Sequence, residues 1–190
     1  MRELSLNVMD IAQNSITAGA SLIEILVEET KQPETLVIKI ADNGKGMTEE
    51  QVRRVVDPFY TTRTTRKVGL GIPLFKMAAE MTGGTFSIES TVGEGTTVTA
   101  KFLAAHVDMT PLGDINSTIR MLILCNPDRD FVFCRSLDGE SFTLDTRELR
   151  EVLGAEVPLS DPEVAQWVRE YLTENTETIL GGANTDEIIS

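Results

Sequence analysis

Leu36-Val37-Ile38-Lys39-Ile40-Ala41-Asp42-Asn43-Gly44-Lys45-Gly46-Met47 is an apolar, β-branched run that ends in a turn containing two glycines. Residues 36–40 read as a half-buried strand, and residues 42–47 as the turn that closes it. Upstream, Leu22-Ile23-Glu24-Ile25-Leu26-Val27-Glu28 has the same character, and Pro33-Glu34 leaves a hairpin-length connection between the two strands. Residues 3–18 read as a helix, with Leu4, Val8, Ile11 and Ser15 down one side and Asn7, Asp10 and Asn14 down another. Downstream, Thr48-Glu49-Glu50-Gln51 can open a short helix as a capping box. Pro58 begins a loop that runs to Gly69, Leu70 to Met81 reads as a helix stopped by Gly83-Gly84, and strands at 85–90 and 96–103 flank Gly93-Glu94-Gly95. Hairpins alternating with helices predict an α+β two-layer sandwich, not a doubly wound sheet.

The remaining 85 residues are less orderly. Residues 106–118 read as a linker, Ile119–Leu124 and Phe131–Cys134 as strands joined through Asn126-Pro127-Asp128-Arg129-Asp130, and two helices start at Asp145 and Ser160. That predicts one unit at 1–105, a small acidic α/β extension at 119–178 and a frayed tail at 179–190. Cys125 and Cys134 would then sit across one hairpin, as reduced thiols in a cytoplasmic chain.

Charge divides the chain. Residues 1–105 hold 11 Lys and Arg against 13 Asp and Glu, a net of −2, whereas residues 106–190 hold 6 against 17, a net of −11, with no lysine. The whole carries −13 with a pI near 4.5. Nonspecific attachment to nucleic acid or anionic lipid is disfavoured, and no apolar run approaches a membrane span. The first part can accept a polyanion. The second would repel one, and reads as a partner surface not needed for ligand binding.

Several residues carry candidate chemistry. Asp10 and Asn14 are four apart on a helix and project the same way. An amide oxygen is a hard ligand suited to Mg²⁺, and a carboxylate one turn away can orient water. Asp42, at a strand end, can accept a purine's exocyclic amino group. The glycines after it let the backbone approach the ring. Lys67-Val68-Gly69-Leu70-Gly71-Ile72 opens a helix, where backbone amides favour phosphate and Arg63, Arg66 and Lys67 add positive charge. Each feature alone is ordinary: a solvated stripe, a turn, a helix start.

In conjunction they are specific. The stripe at 10–14, DNGKGM at 42–47, PFYTTR at 58–63, VGLGI at 68–72 and GEGTT at 93–97 resemble, in order, the ATP-binding boxes of the GHKL superfamily. That group includes histidine-kinase catalytic domains, gyrase, the Hsp90 chaperone and MutL. The resemblance covers about 105 residues and implies a Bergerat-type sandwich that binds ATP with Mg²⁺.

Position by position, the resemblance implies that Asn14 holds Mg²⁺ and that Asp10 is the water-activating acid. Asp42 would read the adenine amino group, helped by Gly44, Gly46 and Thr96, with Ile40, Met47 and Phe59 as apolar lining. Residues 57–68 would form a lid, Arg63 and Lys67 would meet the phosphates, and Gly69, Leu70 and Gly71 would contact them at the helix start. Two positions depart from the pattern. Asp10 stands where ATPase members usually have Glu, and Thr17 where many histidine kinases have a basic residue, so slow hydrolysis is expected. The only histidine, His106, follows the last box, so any phosphoryl acceptor is expected in trans on a protein partner. A slow MutL-like ATPase, a nucleotide-sensing module without turnover and a homodimer all remain open at this level.

Overall fold

Alternation of apolar and polar residues builds the sheet. In β1 (Leu22–Lys31), Ile23, Ile25 and Val27 are buried while Glu24 and Glu28 face solvent. In β2 (Glu34–Asp42), Leu36, Ile38 and Ile40 are buried and Lys39 is exposed. β3 (Thr85–Thr91) and β4 (Gly95–Leu103) repeat the pattern, with Val98, Ala100 and Phe102 inward. One covered face and one wet face is the signature of a two-layer sandwich.

The computed structural model describes residues 3–59 and 70–189, with side chains as far as Gly181. Six strands form one sheet in the order β3-β4-β2-β1-β5-β6, where β5 is Asp130–Leu137 and β6 is Glu140–Asp145. All neighbours are antiparallel except β1 and β5, which run parallel from Leu22↔Asp130 to Glu29↔Leu137. The helices are α1 (Leu4–Thr17), α2 (Glu49–Val55), α3 (Gly71–Met81), α4 (Ile115–Cys125), α5 (Thr146–Leu153) and α6 (Pro162–Ile189). The capping box of α2 is present: Gln51 N donates to Thr48 Oγ1 at 3.2 Å, and Thr48 N donates to Gln51 Oε1 at 2.8 Å. Among the described residues no helix is long and apolar enough to cross a membrane.

The C-terminal part differs from its sequence reading. Residues 115–125 are helix α4, not a strand over 119–124, so the helix begins inside the stretch read as linker. Its β-branched content favours a strand, but Ile115, Thr118, Ile119, Leu122 and Ile123 are the buried positions, a helical spacing. Asp114 caps it, accepting from Ser117 N at 3.0 Å. Cys125 therefore ends a helix while Cys134 lies in β5, both as free thiols, and they do not face each other across a hairpin. The stretch read as a frayed tail is helical to Ile189, with Ile179 buried.

The extension also shares the core. Ile115, Ile119, Phe131 and Phe133 join Leu4, Val8, Ile25, Phe75 and Phe102 in one hydrophobic cluster. The first free amides of α1 are satisfied from the same region: Leu4 N donates to Pro111 O and Ser5 N to Leu112 O, both at 2.9 Å.

Candidate functional site

Three separate stretches meet where β2 ends. The turn after Asp42 docks on the C-terminus of α1, with Lys45 N donating to Ala18 O at 2.9 Å. The β3–β4 turn docks on it from the other side, with Gly93 N donating to Lys45 O at 2.7 Å. Backbone passes so close to backbone that side chains are excluded. A Cβ on Gly46, at φ +71°, would come within 2.0 Å of Thr91 O, and one on Gly95, at φ +128°, within 1.9 Å of Asp42 O. These glycines have a packing reason as well as any ligand-facing one.

Asp42 is half-buried and held at both oxygens. Ser15 Oγ donates to Oδ2 at 2.6 Å, and Gly44 N donates to Oδ1 at 2.8 Å. Each oxygen keeps acceptor capacity for another donor. Asn43 clips the start of β1, its Oδ1 accepting from Ser21 N and Leu22 N at 2.9 and 3.0 Å. Met47 N donates to Ser90 Oγ at 2.8 Å, and Ser90 Oγ lies 2.7 Å from Thr96 Oγ1, which fixes Thr96 beside Asp42.

The result is a pocket of about 320 Å³. Asn14, Asp42, Gly46, Met47 and Thr96 line it, as do Ile11, Ile40, Val55, Ile72 and Val98, giving apolar walls around a few polar groups. Gly44 lies under the turn, against Ala18. Leu70 and Gly71 stand at the start of α3, where a Cβ on Gly71 would be 3.0 Å from Asp10 Cβ, so Asp10 sits behind the α3 terminus. Among the described residues the first turn of α3 has no acidic residue and its N-cap, Leu70, gives no side-chain hydrogen bond, so its positive end is not offset there. Phe59, expected as lining, is 79% exposed. Arg63, Arg66, Lys67 and Gly69, and most of the expected lid, lie outside the described residues.

Ser15 is the residue the sequence reading missed. It falls on the buried stripe of α1 at helical spacing from Ile11, and a buried hydroxyl there signals a polar partner. Ser15→Ala is expected to cost about 1.5 kcal/mol, seen as a lower urea midpoint with an unchanged slope, because a hydrogen bond to a carboxylate is lost.

A larger groove of about 790 Å³ lies at the opposite end of the β1–β2 hairpin, lined by residues such as Thr30, Leu36, Met109 and Leu180. None of the described motif residues lines it.

Residues 1–106 match the sequence pattern of the histidine kinase-, DNA gyrase B-, and HSP90-like ATPase domain. The chain belongs to this family. Among similar proteins, sporulation kinase B of Bacillus subtilis is 36% identical over 100 residues, covering 51% of this chain and 23% of the kinase. Sensor protein SrrB of Staphylococcus aureus is 35% identical over 106 residues, covering 53% of this chain and 18% of that protein. The chain thus spans about a fifth of the length of these relatives. A crystal structure of the N-terminal domain of a DNA repair protein has a similar fold, with TM-score 0.54 and 18% identity over 82% of this chain and 58% of that one. The ATPase-family segment ends at the close of β4, while the structural likeness continues beyond it.

Proposed function

We propose that this chain binds ATP with Mg²⁺ in the pocket beside Asp42 and acts, as a kinase-like regulator, on a protein partner in trans. The observation that carries the reading is the convergence of Asn14, Asp42, Gly46, Met47 and Thr96, drawn from three distant motifs, on one largely apolar pocket. Adenine's amino group can donate to Asp42, whose carboxylate Ser15 and Gly44 hold in place. Ile40, Met47, Ile72 and Val98 offer the apolar walls that such a ring needs. Guanine would set its carbonyl against the carboxylate. Among the described residues no group of three His, Cys, Asp or Glu side chains forms a metal cage. The Asn14 amide oxygen is instead the kind of single hard ligand that Mg²⁺ accepts when phosphates and waters complete its shell. Bound there, the metal would offset phosphate charge.

Phosphoryl transfer is favoured over hydrolysis by the acid itself. Asp10 is one methylene shorter than the usual Glu, and its Cβ stands where a side chain on Gly71 would crowd it, 3.0 Å from the position of such a Cβ. Relatives whose names include a kinase and a sensor support the same direction. Incubation with γ-labelled ATP and cell extract is expected to place label on a protein other than this chain. Label released mainly as free phosphate would favour the slow ATPase instead.

Asn14 and Asp10 should separate binding from turnover. Asn14→Ala is expected to lower Mg²⁺-dependent ATP affinity about tenfold or more. Asp10→Asn should leave binding within about twofold of wild type while reducing any phosphate release by at least about tenfold. Wild-type behaviour of both variants, in a Mg²⁺ titration and a phosphate-release assay, would return the pair to a solvated stripe.

A further inference from the structure

Trp167, the only tryptophan in the sequence, lies on α6 and is 45% exposed. Its indole stacks on Tyr171, with ring centroids 5.0 Å apart and planes 22° apart. Tyr171 is itself fixed: its hydroxyl donates to Thr143 O at 2.8 Å, and its ring meets Phe142 edge-on at 6.2 Å. One face of the indole is therefore backed by a rigid aromatic stack, and close to half of the residue is open. Exposed Trp and Tyr in a preorganised pair are what protein interfaces use as anchors.

Three carboxylates share its side of the helix, while Arg169, two residues on, lies on the other side. Glu163, Glu170 and Glu174 lie four residues before, three after and seven after Trp167, all exposed and on its side of the helix. From α5, Glu148 acts on Tyr171: burial first, and then that carboxylate, push the phenol above its ordinary value. The region from 106 onward has no lysine and a net charge of −11. A second copy of this surface, a nucleic acid or an anionic lipid would be repelled. A cation is attracted twice, by the carboxylates and by the open π-face.

We infer that the Trp167–Tyr171 ledge is a docking site for an arginine- or lysine-bearing segment of a partner protein, whose cation lies over the indole within reach of Glu163, Glu170 and Glu174. This extends the proposed action in trans by giving the partner's chemistry. Because docking needs no nucleotide, its failure leaves the ATP assignment untouched.

The test uses the full chain and a synthetic peptide of about twelve residues carrying four arginines, with the same peptide bearing glutamines as control. Calorimetry gives affinity, and indole emission reports whether the peptide reaches Trp167. Saturable binding with a matching change in emission is expected, weakening about tenfold between roughly 50 and 300 mM salt. Trp167→Ala should weaken it about threefold to tenfold. Joint replacement of Glu163, Glu170 and Glu174 by Gln should weaken it more than about tenfold. Removing equal charge elsewhere (Glu28→Gln, Glu49→Gln and Asp108→Asn together) should cost less than about threefold. Absence of binding, binding without a change in emission, or equal losses in the two triple variants would overturn the assignment.

Discussion

A fragment ending at Ala105 is expected not to fold cooperatively and to lose ATP binding with its structure. The cut removes β5, which pairs with central strand β1 over eight positions from Leu22↔Asp130 to Glu29↔Leu137. It also removes the buried side chains of Ile115, Ile119, Leu122, Ile123, Phe131 and Phe133. At about 1.5–3 kcal/mol each, these six alone rival the ~5–15 kcal/mol net stability of a typical domain. The carbonyls of Pro111 and Leu112 that satisfy the start of α1 leave as well, and α1 carries Asp10, Asn14 and Ser15. Urea unfolding of fragment 1–105 should show no sigmoidal transition, and the fragment should bind ANS or aggregate. A soluble fragment with a sharp transition and the ATP affinity of the whole chain would contradict this. The charge asymmetry predicts a dispensable C-terminal region. The shared core predicts the reverse, because charge reports on what a surface repels and not on what the core requires.

Asp42→Ala is the second large effect. Loss of a charge-assisted hydrogen bond to the adenine amino group is worth about 1.5–3 kcal/mol, so ATP affinity should fall roughly tenfold to a hundredfold. Ser15 Oγ and Gly44 N lose their acceptor in this variant, so its unfolding midpoint must be measured alongside. Asp42→Asn keeps the volume and separates the two effects: its fold should be nearly wild type, yet affinity should still fall at least about fivefold, because one carboxylate oxygen becomes a donor facing a donor. Wild-type affinity in a folded Asp42→Asn protein would remove Asp42 from the adenine contact.

What the sequence carried was local. The alternation in 22–28 and 36–40, the Thr48–Gln51 box and the glycine turns at 44–46 and 93–95 are short-range signals, and each element formed where these place it. What it concealed was non-local or contradictory. No local pattern announces that β5 will lie parallel to β1, a pairing across about a hundred residues. In 119–124 two signals compete, β-branched composition for a strand and helical spacing with an Asp114 cap for a helix, and spacing wins because it buries one continuous face. The candidate site shows the same division. Asn14, Asp42, Gly46, Met47 and Thr96 were legible in the motifs, whereas Ser15 and Ser90 became visible only through what they hold.

The central claim, an adenine-reading site with Mg²⁺, is tested most directly by calorimetry of the full chain with Mg-ATP and Mg-GTP side by side. The account predicts saturable ATP binding at one site per chain, lost on chelating the metal, and GTP affinity at least about tenfold weaker. Equal affinities for the two nucleotides, or no heat of binding with ATP, would contradict it.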